Sequence, residues 1–161
     1  MSDMAQMLRR AIAEEEPLLR AISDQSAGVS PGGPGKWSAK QELGHLIDSA
    51  TNNRVRIAKA ATEGQYAGPS YDPVAWVELG GYAGMSWSVL IDLWKMLNEA
   101  LGVALDRVPP RRLEAECRIG DAQPATLRFV IEDYILHMQH HLDHILGRER
   151  MTEYPSAAAR K

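Results

Sequence analysis

The chain is poor in several things, and each absence narrows what it can be. Of its 161 residues, one is cysteine (Cys117) and one is phenylalanine. A single cysteine rules out an internal disulfide and suits a reducing compartment. No apolar run approaches the roughly 20 residues that a membrane-crossing helix needs. There is no basic run, and the formal net charge is -3. That balance argues against nucleic acid and against an anionic membrane surface as partners. The start, MSDMAQMLRRAIAEEEP, is acidic and amphipathic and has no apolar h-region. No self-similarity recurs at about 20–50 residues, so a solenoid is excluded. The expectation is a cytoplasmic globular protein, with one domain over residues 1–150 and a mobile tail at 151–161.

What is present is mostly helical patterning. Met4, Met7, Leu8, Ala11 and Ile12 follow the helical period, and Leu18, Leu19 and Ile22 continue it, with Pro17 predicted to kink or divide this first helix. SAGVSPGGPGKW is a loop dense in glycine and proline. Ser38, with Gln41 three residues on, reads as a capping box opening a second helix to about residue 62. Residues 64–85 form a long connection with a short helix of its own: Asp72 caps it, Pro73 opens it and Gly80 ends it. A third helix is predicted from Ser86 to Leu105 and a fourth from Thr126 to Leu146, stopped by Gly147. Between them, LEAECRI alternates as an extended segment does. The predicted class is all-α, a four-helix bundle whose second and third helices are joined by that long connection.

Four of the five histidines fall in ILHMQHHLDHI, and the fifth is His45. At about 100° per residue, His137 and His141 lie at or on the apolar stripe of the fourth helix, while His140 and His144 turn away from it. His137 and His141 are one turn apart, a spacing at which two imidazoles can share a divalent ion. A third ligand is needed, and His45 is the candidate. On the second helix, His45, Ser49, Asn52 and Arg56 form a polar line beside the apolar stripe of Leu43, Leu46, Ala50, Ile57 and Ala61. Such a line is either a solvated face or the wall of a pocket. In the first case the histidines are surface groups; in the second, three of them meet.

KWSAKQELGHLIDSATNNRVRI, YDPVAWVELGGY, LWKMLNEAL and YILHMQHHLDHI, in that order and at that separation, resemble the DinB/YfiT-like superfamily of four-helix-bundle metalloenzymes. The resemblance runs from the first helix to about residue 147. It implies a divalent ion, nickel or zinc first and manganese or iron next, held by His45, His137 and His141. It also implies a low-molecular-weight thiol cosubstrate, since relatives include bacillithiol transferases and mycothiol-dependent isomerases, or else hydrolase chemistry. A homodimer acting on a small-molecule substrate is implied too, and no DNA polymerase activity.

Two further residues are candidates for the chemistry. Asp48, one turn beyond His45, could orient a histidine or act as general base, or it could be a surface carboxylate. Arg56 could hold an anionic group of the substrate, or form an ordinary salt bridge. Cys117 lies in the alternating segment with nothing near it in sequence to lower its pKa, so it is not expected to be a nucleophile. Tyr71, Trp76 and Trp87 either wall the pocket mouth or pack in the core. Two readings of a different class stand beside the enzyme: a non-catalytic metal- or small-molecule-binding bundle, and a structural interaction protein with bystander histidines.

Overall fold

The computed structural model describes residues 2–32, 35–148, 152 and 154. Its helices begin where side chains cap them. The first, α1 (Asp3–Arg20), starts behind Ser2, whose Oγ accepts from the Ala5 amide. Pro17 stands inside α1 without dividing it, because its missing N–H removes only one bond near the end of the helix. A single turn, α2 (Asp24–Ala27), follows.

The long helix α3 (Ala39–Glu63) opens with the capping box the sequence predicts, Ser38 and Gln41 each satisfying the other's backbone amide. It ends at Gly64, whose φ of 89° a residue with a side chain rarely adopts. Then come α4 (Pro73–Gly80), capped by Asp72, α5 (Trp87–Leu105) and α6 (Leu127–Ile145), capped by Thr126. Two short segments escape sequence periodicity because each is four residues long: α2 and the strand β1 (Gln65–Gly68). β1 pairs in parallel with β2 (Glu116–Ile119), which pairs antiparallel with β3 (Ala125–Thr126). β2 lies within the segment whose alternation predicts extension.

The four long helices form the bundle. α3 packs on both α5 and α6, and α1 packs on the same two helices from the other side. Leu8, Leu19, Leu43, Leu46, Leu90, Trp94, Leu101, Ile131 and Leu142 fill the middle. Burying such apolar side chains is the main force that holds helices together in water. The core also holds a polar tie, from the Tyr134 hydroxyl to Asn98 Oδ1. Among the described residues, no helix is long and apolar enough to cross a membrane. The tail expectation for residues 151–161 lies outside the described residues, apart from Thr152 and Tyr154.

Candidate metal centre and adjoining cleft

Packing α3 against α6 brings His45 to the histidines of the fourth long helix. His45 Nε2 lies 3.2 Å from His137 Nε2. The three rings of His45, His137 and His141 have centroids 4.5–5.0 Å apart. One ring nitrogen from each falls within 4.8 Å of the other two. Trp37, just before the α3 cap, lays its ring 5.2 Å from that of His45, and Tyr154 lies 5.5 Å from His137.

The donor set fits a divalent ion. Two nitrogens bound to one tetrahedral zinc stand about 3.3 Å apart, given bond lengths of about 2.0–2.1 Å. The His45–His137 separation matches this, and it equally matches a hydrogen bond between the two rings when one nitrogen carries the proton. His45 is buried, and desolvation, helped by the proximity of His141, pulls its pKa down to about 4. It is therefore neutral at pH 7, with a lone pair to give.

Glu42, one turn before His45 on α3, orients the cluster from behind. Its Oε1 lies 2.8 Å from His141 Nδ1 and 3.0 Å from His144 Nδ1. Burial works to raise its pKa, but the bonds from His141 and His144 outweigh that and hold it below the ordinary glutamate value. An ionised carboxylate only accepts hydrogen bonds, so both Nδ1 atoms carry their protons. His141 is thereby left with Nε2 as its free donor to the three-histidine cluster. Glu42, His141 and His144 also satisfy the spacing of a metal-binding group. Glu42 Oε1 here is bonded to both Nδ1 atoms instead. Sequence reasoning missed Glu42. Its partner is 99 residues away, and the only local signal was that it precedes His45 by one turn.

Asp48 lies near the cluster without bonding to it. It is buried, not a surface carboxylate, and its Oδ1 accepts the Tyr82 hydroxyl at 2.6 Å. Desolvation raises its pKa above the ordinary aspartate value, against the lowering pull of that bond. Burial and the Asp48 carboxylate both raise the Tyr82 pKa. Asp48 Oδ2 and His45 Nδ1 are each buried without a hydrogen-bond partner among the described residues, and no bond joins them.

Beside His137 opens a cleft of about 780 Å³, lined on the α3 side by Ser49, Asn53 and Arg56 and elsewhere by Tyr71, Cys117 and the apolar Ile119, Phe129 and Val130. The polar line predicted on α3 is thus a pocket wall, with one correction. Asn53 faces the cleft, while Asn52 turns its amide to the Asp48 carbonyl. Arg56 is buried and has no carboxylate within 4 Å among the described residues, so the ordinary salt bridge is not there. Tyr71 lines the cleft and Trp76 packs on it at 4.9 Å. Trp87 instead belongs to the core, its indole N–H bonded to the Leu19 carbonyl. Burial raises the Cys117 thiol's pKa, which makes it a poor nucleophile.

The chain belongs to the DinB superfamily, whose sequence pattern matches residues 7–145. Among curated relatives, "Putative metal-dependent hydrolase YfiT" of Bacillus subtilis is 26% identical over 146 residues, covering 90% of this chain and 82% of that protein. "Putative metal-dependent hydrolase OB0782" of Oceanobacillus iheyensis is 28% identical over 111 residues, 69% of this chain, and the match spans 64% of that relative's length. Among solved structures, Bacillus subtilis YfiT, described as a four-helix bundle of unusual topology, superposes with a TM-score of 0.80 at 24% identity, covering 96% of this chain and 91% of that one. A mutant of the mycothiol-dependent maleylpyruvate isomerase superposes at 0.73 with 14% identity, covering 91% of this chain and 60% of that one. At such identities the structural likenesses establish the shared fold.

Proposed function

We propose that this chain is a metal-dependent enzyme acting on a small molecule, either transferring a group to a thiol or hydrolysing its substrate, with one divalent ion held by His45, His137 and His141. The observation that carries this reading is the meeting of three imidazoles from two helices beside an enterable cleft. Three protein ligands leave positions open, as in catalytic rather than structural sites. Imidazole donors suit zinc and nickel, with iron or manganese as weaker alternatives. When bound, such an ion supplies the Lewis acidity that makes a water or a thiol nucleophilic near neutral pH.

The chain's own residues do the rest. Neutral His45 gives its lone pair without first losing a proton. Glu42 fixes the tautomer and the aim of His141. Trp37 and Tyr154 lie against the rings of His45 and His137 and limit water there. Cys117 supplies no nucleophile, so a thiol would come from a second molecule. The mycothiol dependence of the structurally similar isomerase supports that choice. Arg56 anchors the substrate, and Asp48, tied to Tyr82, supports the α3 wall from within.

The test is elemental analysis followed by turnover. Purified protein should carry about one ion per chain, and His45→Ala or His141→Ala should each lower that content sharply. The loaded protein should then outrun its metal-free form on electrophiles offered with a panel of small thiols, or on esters and amides. Metal content unchanged in both variants would remove the shared site. A fully loaded protein without turnover in any arm would leave a binding module.

A further inference from the structure

On the wall of the cleft stands a cation with no carboxylate within 4 Å among the described residues. Arg56 is 9% exposed. Among the described residues its polar contacts are a long 3.4 Å bond from Nη1 to Asn53 Oδ1 and the face of the Tyr71 ring, 5.9 Å from the guanidinium carbon. A guanidinium has five donors in a planar fork that matches a carboxylate, and a buried cation without a counter-ion is unfavourable. Ser49, Asn53 and Tyr71 line the same stretch of wall and add polar groups around the fork.

We propose that the cleft takes an elongated small molecule with an apolar body and a terminal carboxylate, the carboxylate bound by Arg56 and the other end lying at His137. The position of the reacting end rests on the function proposed above; the carboxylate at Arg56 does not. Three observations set this class. The body of the cleft is apolar, with Ile119, Pro124, Phe129 and Val130 in its lining. The other charge on the lining, Asp133, is one turn before His137 on α6 and accepts the Tyr154 hydroxyl at 3.2 Å. No ion pair joins it to Arg56 among the described residues, so it does not serve as that guanidinium's counter-ion. Arg56 is also eleven positions beyond His45 on α3, about 16 Å along the helix axis, and its side chain, longer than a histidine's, reaches further back toward the N-terminus. A ligand held at both ends therefore spans on the order of 10 Å.

The probes are octanoate and 1-octanol, then 8-mercaptooctanoate and 8-mercapto-1-octanol, titrated calorimetrically into metal-free and zinc-loaded protein. The wild-type protein should bind octanoate about tenfold or more tighter than octanol without any metal. Arg56→Gln should abolish that preference while leaving octanol affinity, zinc content and melting temperature unchanged or, for the last, raised. Arg56→Lys should keep part of the preference, which guards against a variant that fails to fold. If adding the thiol strengthens binding of the acid only in zinc-loaded protein, the carboxylate belongs to the thiol cosubstrate. If it adds nothing, the carboxylate belongs to the other substrate. Either result upholds the carboxylate at Arg56. Equal affinity for acid and alcohol in the wild type, or a preference that survives Arg56→Gln, overturns it. Failure to load zinc would bear on the metal reading alone, because the metal-free arm still reports on Arg56.

Discussion

Glu42 shows how much one carboxylate can organise. One oxygen accepts from two imidazoles, and this fixes which nitrogen of His141 faces the cluster. Glu42→Gln keeps the shape but removes the charge, and its amide can present a donor where an acceptor is needed. Metal affinity should fall about 10–100-fold, read by competition with a chelator of known affinity, while the far-UV spectrum stays unchanged. At this scale the sequence was legible where geometry is local. His137 and His141 share a turn of helix, so a wheel selects them. His45 was a matter of inference, and Glu42 was invisible, because the contacts that define its role cross from one helix to another.

At the scale of elements, α3 is both a bundle helix and the main wall of the site. Its face can be shared because of Gly44. A Cβ there would stand 2.1 Å from Tyr82 Cδ2. Gly44→Ala should displace the Tyr82 ring, break its bond to Asp48 and cost about 1–3 kcal/mol, seen as a melting temperature lower by several degrees. Asp24 joins three elements in a similar way. It accepts the Trp87 amide at the start of α5 at 2.7 Å and the Lys40 ammonium of α3 at 3.0 Å. The Trp87 bond first, and Lys40 next, hold its pKa below the ordinary aspartate value. Its contribution is therefore present above that ordinary value and lost as the pH falls through the lower folded value. Thermal melts of wild type and Asp24→Ala should differ by a constant amount from pH 7 to pH 5 and converge below about pH 4. Caps and apolar stripes made the four long helices and α4 readable from the sequence. α2 and β1 were not, because four residues carry too little period to register, and a strand is defined by a partner that lies elsewhere in the chain.

For the whole molecule, the proposed ion would bridge segments that the chain separates by some ninety residues. An ion that binds the folded state and not the unfolded one adds stability by mass action, about 2.7 kcal/mol at a hundredfold excess over Kd. Zinc should raise the melting temperature by roughly 5–10 °C for a chain of this size, and a chelator should reverse the rise. In His45→Ala the rise should be absent. The number of long helices could be counted from the sequence, but which helix neighbours which could not. α1 lies against α5 and α6, not chiefly against the next long helix in the chain, and nothing in its own residues announces that choice.

The three-stranded sheet gives the fold a division of labour. β2, β3 and the turn between them supply part of the cleft wall, yet none of them carries a histidine. Selectivity could be rewritten by exchanging side chains on that wall, from Ile119 through Thr126, with the imidazole scaffold left as it is. Part of the recognising surface thus sits apart from the helices that carry the imidazoles, so the ligand pocket can be edited there without touching the proposed ion's donors.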